Sequence, residues 1–359
     1  MEDVLPESVM LDVLSRLPVK AIVRFKCVCR KWRDLVSDPY FVRLHLSRSH
    51  EALMIYKCCI GTQGSLEWVE MMEHEDKYHL HPVKSLICVR GPPFSFAGSV
   101  NGLICCYRPY DSVYILNPVL KEYMILPKLQ LENEMCSYGF GVSTVGEYKV
   151  ILCNPTVSFV QNKVYGTDHT LVHTIGTNQW RVLGQTPNHT NSIQIGPGVF
   201  LNSHVYWLGY GQVYDFDLNT ETFELFPSPS GRYRKSKLGV LKGKLSLILL
   251  GSLGLEVWVM NGKSWYKERT IQQNIRTILR SYPVCLIDGL KDTGILIVHD
   301  EATKKLLAYC LNTNATLHLN CRADFFTIMT YRPSFVKLHS FQRVDFRYDK
   351  VTKQHYYFF

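Results

Sequence analysis

Apolar residues near the start of the chain recur at the spacing of an α-helix, and they do so in two separate runs. The first run consists of Met10, Val13, Leu14 and Leu17. This spacing predicts a short helix with one apolar face. Pro6 suits its first position, because the fixed φ of proline is already helical and its missing N–H would be unpaired there. Pro18 ends the helix, because proline disfavours the α conformation in the residue before it.

The second run predicts a second helix that extends to Asp38-Pro39. Its apolar side consists of Ile22, Phe25, Val28, Cys29, Trp32 and Leu35, while its other side is rich in Lys and Arg. Residues 40–44 predict one more helical turn. Two short helices cannot bury this much apolar surface between themselves, so they need a partner. That partner is either the rest of this chain, as in an ordinary helical subdomain, or another protein.

After about Glu51 the helical period gives way to short apolar runs separated by Gly, Asn, Asp and Pro. The clearest unit is formed by residues 101–106, 113–118 and 121–127, and further units follow at 171–183, 205–227, 245–266 and 294–319. Their spacing of roughly 40 to 50 residues is typical of propeller blades. Small sheets of this kind bury their faces by radial packing, so the pattern predicts an all-β propeller with six or so blades. A sandwich or two stacked sheets is the structural alternative.

Composition places the chain among ordinary folded proteins, because 46% of its residues are apolar and 20% are charged. A length of 359 residues favours about two domains, so we expect a helical domain at 1–48 and a β domain at 49–359. No run approaches the roughly 20 apolar residues of a membrane span. The acidic start of the chain lacks a secretory signal, which favours the cytoplasm or the nucleus.

Twelve cysteines raise the question of disulfides or a metal site. The sequence contains no Cys-x-x-Cys pair, the usual half of a zinc site. Cys58-Cys59 and Cys105-Cys106 are adjacent, and on a strand their side chains would point to opposite faces. We therefore expect free, mostly buried thiols that pack as small apolar groups.

Candidate chemistry is sparse elsewhere. The net charge is +9, but the basic residues are scattered apart from a run at 232–237, so no nucleic-acid partner is expected. Residues 239–244 lack the spacing of a phosphate-binding loop. His79 and His81, with His74 nearby, are the best metal candidates, yet they lack an obvious third ligand. Asp215 and Asp217 fit residues that flank a turn. We expect no catalytic residue, no metal and no cofactor.

The order of motifs in the first forty residues resembles the F-box in the form common in plants. The match runs from about Leu5 to Phe41, through Leu-Pro, a Leu-rich turn, Leu-Pro-Val-Lys and Val-Cys-x-x-Trp, with Val23 where Leu is more usual. The resemblance implies a surface that docks on a Skp-type adaptor, which in turn joins a cullin–RING ubiquitin ligase. The residues that would form or support this surface are Leu5, Pro6, Leu11, Leu14, Leu17, Pro18, Val28, Cys29 and Trp32.

The β units resemble the F-box-associated domain, which is related in form to kelch-type repeats. The resemblance covers about residues 95–335, with landmarks at 101–104, 117–118, 138–141, 148–150, 206–207, 216–217 and 256–260. Residues 172–175 and the short turn at 260–265 depart from the family pattern. Each motif is weak alone, but their order beside an F-box is specific.

Together these resemblances imply a non-catalytic substrate receptor that delivers an unknown target protein to the ligase. Alternatives are an adaptor-bound regulator that causes no degradation, and an enzyme built on a propeller. Target contacts are expected in loops of the β domain, where Tyr and Arg are common at interface hot spots. The candidate target-binding residues are Tyr107, Arg108, Tyr110, Tyr210, Arg232, Tyr233 and Arg234.

Overall fold

The structure is a computed structural model of the 359-residue chain. It describes residues 6–58, 64–74, 77–89, 94–108, 112–131, 136–153, 157–159, 169–187, 196–209, 211–229, 236–251, 254–272, 281–288, 294–300, 302–312, 316–322, 325–338 and 342–343. Four helices come first, followed by strands that form antiparallel sheets.

The helical part, residues 6–48, is called the helical module below. Its helices are α1 (Glu7–Ser15), α2 (Val19–Phe25), α3 (Arg30–Ser37) and α4 (Pro39–Arg48). The prediction of one continuous second helix is wrong, because the chain turns after Phe25 and Cys29 adopts an extended backbone with φ −154° and ψ 166°. This turn allows the ring of Trp32 to pack edge-on against Phe25, with ring centres 4.9 Å apart.

The last helix is longer than the single turn that the sequence pattern predicts. Asp38 caps α4, because its carboxylate accepts hydrogen bonds from the N–H groups of Tyr40 at 2.7 Å and Phe41 at 3.3 Å. Pro39 occupies the first helical position, where it loses no hydrogen bond. The cap and the proline together start a helix of ten residues.

The first strands along the chain are β1 (Ala52–Cys58), β2 (Gly64–His74), β3 (Lys77–Val89), β4 (Ser95–Val100), β5 (Leu103–Tyr107), β6 (Val113–Asn117), β7 (Glu122–Ile125), β8 (Gln130–Leu131), β9 (Ser137–Val142), β10 (Tyr148–Cys153), β11 (Val157–Phe159), β12 (His169–Thr174) and β13 (Arg181–Gln185). The remaining strands are β14 (Val199–Leu201), β15 (His204–Leu208), β16 (Gln212–Asp217), β17 (Thr222–Pro227), β18 (Ser236–Leu241), β19 (Lys244–Leu250), β20 (Leu255–Asn261), β21 (Ser264–Ile271), β22 (Ser281–Asp288), β23 (Gly294–Asp300), β24 (Lys305–Cys310), β25 (Thr316–Arg322), β26 (Phe325–Tyr331) and β27 (Gln342–Arg343).

Six sheets form the blades of a propeller, which confirms the predicted architecture over a sandwich. Their strand orders are β26-β1-β2-β3, β4-β5-β6-β7 with β27 at the outer edge, β9-β10-β12-β13, β14-β15-β16-β17, β18-β19-β20-β21 and β22-β23-β24-β25. The first strand of each order contacts the first strand of the next, and the last blade returns to the first. These six inner strands therefore form a closed ring.

The ring is closed by the C-terminal part of the chain. Strand β26 pairs with β1 along its whole length, from Ala52 opposite Tyr331 to Cys58 opposite Phe325. Blade 1 is thus built from three strands near the start of the chain and one strand near its end. Such closure leaves no open inner edge between the first and last blades.

Glycines allow the inner strands to approach their neighbours closely. A Cβ atom added at Gly139 would lie 2.4 Å from Trp207, and one added at Gly141 would lie 2.5 Å from Leu218. Because β4, β9 and β18 interrupt their apolar runs with glycine, the alternating pattern does not identify these three inner strands. The predicted units accordingly begin at the second strand of most blades.

The helical module and the propeller share one apolar core. It contains Ile22, Val36 and Phe41 of the helices together with residues of blades 1 and 2. Residues 332–338 run between the two parts, and the ring of Phe335 lies 6.4 Å from that of Phe41 and 5.2 Å from that of His45. The helices are therefore packed against one side of the propeller.

Cysteines behave as the sequence indicates wherever the structure describes their side chains. Eight of them are free, and all except Cys27 and Cys29 are buried. Cys105 packs in the core between blades 2 and 3, whereas Cys106 packs in the core shared with the helices. The adjacent pair therefore points to opposite faces of its strand, as predicted.

Candidate functional site

Part of the apolar surface of the helical module faces outward. Leu14, Ile22 and Val36 are buried, with 4%, 0% and 0% of their surface exposed. Val28 is 64% exposed and Val13 is 52% exposed. The outer apolar set is defined as Val9, Val13, Val23 and Val28, all of which are exposed. Four valines in contact with water on one small module leave apolar side chains that a partner can cover.

The residues predicted to form or support the adaptor-binding surface divide into two groups. Pro6, Pro18, Val28 and Cys29 are exposed. Leu14 is buried, and Leu11 and Leu17 pack against the shared core. Trp32 is partly buried through its contact with Phe25. Leu5 lies outside the described residues.

The buried leucines hold α1 against the other helices. Within the predicted set they are placed to support the surface, and the exposed members are placed to form it. Val9 and Val23 are exposed but are absent from the predicted set. The sequence signal that could have found them is an apolar residue beside the buried stripe of each helix, because a valine at the edge of that stripe can stay exposed.

An ion-pair cluster fixes α1 against α4. The carboxylate of Asp12 accepts from the Arg16 guanidinium at 3.1 Å and lies 2.7 Å from that of Arg48. Arg48 also donates to the main-chain oxygen of Asp12 at 3.1 Å. The hydrogen bonds from Arg16 and then Arg48 lower the pKa of Asp12. The cluster thus stays charged at neutral pH and orients the helices that carry the outer apolar set.

The helical module also exposes basic side chains on α2 and α3. Those that are exposed include Lys20, Arg24, Arg30, Lys31 and Arg33. Exposed charges of this kind select a partner of opposite sign and speed its encounter more than they add affinity. The module therefore suits a partner whose apolar binding surface also carries acidic residues.

The propeller holds the first two predicted target-binding residues in internal contacts. The Tyr107 ring stacks on Tyr138 with ring centres 4.0 Å apart. Arg108 is buried, and its guanidinium lies 4.2 Å from the centre of the Phe94 ring. Arg108 is therefore held within the fold, and its role in target binding stays a prediction. Tyr110, Tyr210, Arg232, Tyr233 and Arg234 lie outside the described residues.

The strand ends beside these predicted loops lie at the end of the propeller opposite the helical module. The module packs at the end that holds the β4–β5 turn, where the Ser334 hydroxyl donates to the Asn101 main-chain oxygen at 2.5 Å. In an antiparallel blade the turn between the second and third strands lies at the other end. Tyr107 ends the second strand of blade 2, and Leu208 ends that of blade 4. One end of the propeller thus carries the module, and the strand ends beside the predicted target-binding loops lie at the other end.

No metal-binding cluster is found among the described residues. They contain no group of three His, Cys, Asp or Glu side chains that could hold a metal ion. Asp217 caps a turn by accepting from the Asn219 N–H at 2.7 Å, as predicted, whereas Asp215 pairs with His204 at 2.7 Å. The side chains of His74, His79 and His81 lie outside the description. No helix in the described part is long and apolar enough to cross a membrane.

The fold therefore defines a class of protein in which a small helical module with an exposed apolar face is carried by a six-bladed propeller. Comparison with family models gives two matches. Residues 56–318 match the F-box associated beta propeller domain, and residues 3–44 match the F-box domain. The chain belongs to the family of F-box proteins with an F-box associated beta propeller domain.

Similar proteins from Arabidopsis thaliana agree with this assignment. F-box protein At5g49610 is 30% identical over 281 residues, which cover 71% of this chain and 75% of the relative. F-box/kelch-repeat protein At3g23880 is 26% identical over 330 residues, covering 80% of this chain and 84% of the relative. Putative F-box protein At4g38870 is 25% identical over 302 residues, which cover 76% of this chain and 70% of the relative.

Proposed function

We propose that this protein is the substrate-recognition subunit of an SCF-type cullin–RING ubiquitin ligase. In this proposal residues 1–48 bind a Skp-type adaptor, which links the chain to cullin and the RING subunit. Residues 49–359 bind a target protein, which is then ubiquitinated and degraded. The protein catalyses no reaction itself and acts in the cytoplasm or the nucleus. The relation of its blades to kelch-type repeats stays a prediction, because the matching family model describes an F-box associated propeller.

The observation that carries this proposal is the outer apolar set on an otherwise well-packed module. Val28, at 64% exposure, stands in the turn between two helices and has no internal packing role. Covering several such side chains contributes about 25 cal/mol for each Å² of apolar surface removed from water. The match to the F-box domain over residues 3–44 supports a Skp-type adaptor as the protein that covers them.

The arrangement of the two parts supports a receptor. Because the module packs against one end of the propeller, the adaptor and a target at the opposite end can bind at the same time. Holding both raises the effective concentration of target lysines near the ubiquitin-conjugating enzyme. The shared core around Phe41 and Phe335 keeps the geometry between the two binding surfaces fixed.

Co-purification with a plant Skp-type adaptor tests the first half of the proposal. The full chain and the adaptor are expressed together and analysed by size-exclusion chromatography with light scattering. We expect a one-to-one complex. An adaptor that elutes alone, beside a folded and monomeric chain, would contradict the assignment of an adaptor-binding module.

Target capture followed by reconstitution tests the second half. Proximity labelling with the proteasome blocked identifies candidate targets, and each purified candidate is added to the reconstituted ligase. A receptor yields ubiquitinated target only when this chain is present. A target that binds but stays unmodified and stable would instead support the non-degradative regulator.

A further inference from the structure

The axis of the propeller contains a cavity of about 370 Å³. Its walls come from the inner strands β4, β14, β18, β22 and β26. At one end the cavity is lined by Leu46 of α4 and by Glu51, the residue just before the first blade. Ligand-binding pockets of about 300–1,000 Å³ hold compact organic molecules, so this cavity is large enough for one.

The cavity offers both apolar surface and hydrogen-bonding groups. Phe96, Val100, Phe200 and Ile328 line it, and Ser99 and Thr330 add hydroxyl groups. Each inner strand pairs with a blade neighbour on one side only, in the part of the chain that the structure describes. Along the other edge of each inner strand, which faces the axis, the backbone N–H and C=O groups have no described neighbouring strand to pair with. Such a lining suits an apolar molecule that carries a polar group.

Lys237 is a cation in the cavity wall that has no charged partner among the described residues. Among the described residues it has neither a hydrogen bond nor an ion pair, whereas the other cation of the lining, Arg332, pairs with Glu51 at 3.4 Å. The neighbouring thiol of Cys285 cannot neutralise it, because burial raises the pKa of Cys285 to about 12. Desolvation lowers the pKa of Lys237. The described charged residues of the lining, two cations and one carboxylate, therefore leave one positive charge uncompensated.

We propose that this axial cavity binds a small organic anion, with one carboxylate or sulfonate group paired to Lys237 and an apolar body against the surrounding walls. A partly buried cation loses part of its hydration without gaining a partner, and a bound anion supplies that partner. The apolar body adds burial in a preformed site. This inference concerns the propeller axis and does not depend on adaptor or target binding.

The test uses two fluorescent probes that share an aromatic framework. The anion 8-anilinonaphthalene-1-sulfonate carries one sulfonate, and the neutral N-phenyl-1-naphthylamine lacks it. We expect the purified full chain to bind the anion saturably at one site, at least tenfold more tightly than the neutral probe. Equal affinity for both probes would overturn the proposal, because recognition would then not involve charge.

Substitution at Lys237 locates the site. Lys237→Met removes the cation but keeps an unbranched side chain, and we expect at least a tenfold loss of affinity for the anionic probe. Lys237→Arg keeps the charge and retains binding. Lys244→Met is the matched control, because Lys244 is exposed at the start of β19 and does not line the cavity. Unchanged affinity in Lys237→Met would contradict the assignment.

A thermal measurement separates a folding defect from lost binding. Because a ligand that binds the folded state raises the unfolding temperature, the anionic probe should stabilise the wild type and Lys244→Met. Lys237→Met should unfold at or above the temperature of the ligand-free wild type, since a partly buried charge is gone, and should not respond to the probe. If the anionic probe raised the unfolding temperature of all three proteins equally, the proposed site would be refuted.

Discussion

The helical module and the propeller differ in how much of their apolar surface they expose to water. The propeller closes its ring, and the exposed large apolar residues in its described part, Ile125, Val145, Leu183 and Tyr266, are spread over three blades. The much shorter helical module exposes four valines on α1, α2 and the turn after α2, and it also exposes Tyr40 on α4. A closed ring of blades needs no partner to complete its core. The module, in contrast, is complete on its inner side and incomplete on its outer side.

Removal of the closing strand should have the largest effect on the propeller. A chain that ends at Arg322 lacks β26, and with it the whole ladder to β1. We expect the cooperative thermal transition to be lost, because blade 1 then exposes an open edge and the ring cannot close. Differential scanning calorimetry measures this. Addition of a synthetic peptide of residues 325–338 should restore part of the transition, and an unchanged transition without the peptide would contradict closure by β26.

Adjacent aromatic residues of α4 contrast the inner and outer sides of the module. Phe41 is fully buried in the core shared with the propeller, while Tyr40 is 56% exposed. We expect Phe41→Ala to lower the free energy of unfolding by about 3–5 kcal/mol through lost burial and an internal cavity. Tyr40→Ala should change it by less than about 0.5 kcal/mol. Urea unfolding measures both, and similar losses would contradict the packing described for α4.

A buried amide ties the C-terminal segment to blade 2. The Asn117 amide nitrogen donates to the main-chain oxygens of Ser334 at 3.2 Å and Val336 at 2.7 Å, and its side-chain oxygen accepts from the Val119 N–H at 2.9 Å. We expect Asn117→Ala to lower the free energy of unfolding by about 1–3 kcal/mol, because buried backbone groups lose their hydrogen-bond partners. Chemical denaturation measures the loss. Asn219→Ala, at an exposed turn, is the control and should cost less.

A smaller effect should follow from pH through the buried histidine at the junction. His45 is 3% exposed, and burial lowers its pKa below the ordinary value of 6.5. The unfolded chain therefore binds a proton at a higher pH than the folded chain, so stability should fall as the pH drops below about 6.5. We expect this slope between pH 6.5 and 5 to be reduced in His45→Phe. An identical slope in both proteins would show that His45 makes no contribution.

The middle strands of the blades could be predicted from the sequence, but the innermost strands could not. Runs such as Val213–Asp217 and Leu245–Leu250 are strongly apolar and bounded by turns, so they identify the strands that contain them. The inner strands depend on close approach between blades, which places Gly139 and Gly141 where a side chain would collide with a neighbour. The position of these strands at the centre of the propeller depends on residues far away in the sequence, so the local sequence pattern does not predict it.

The helical module shows a similar limit at its surface. Periodicity identified Leu14 and Leu17 as one apolar stripe, but it could not show which side of each helix the propeller would cover. The propeller and residues 332–338 cover the leucine side, so Val13 and Val28, which periodicity placed on the apolar sides of their predicted helices, are exposed instead. The break before Cys29 was missed for a related reason, because the contact between Phe25 and Trp32 that accompanies it is tertiary.

The most direct test of the central claim is the affinity of the full chain for a purified plant Skp-type adaptor, measured by isothermal titration calorimetry. The double variant Val9→Asp/Val28→Asp places charge in the outer apolar set, and Val145→Asp makes the same change at an 80% exposed turn of the propeller. We predict that the double variant binds at least about 30-fold more weakly, matching ~2 kcal/mol for a hot spot, with its thermal stability unchanged. Val145→Asp should bind like the wild type. Equal affinity in all three folded proteins would contradict the claim that the outer side of the module is the adaptor-binding surface.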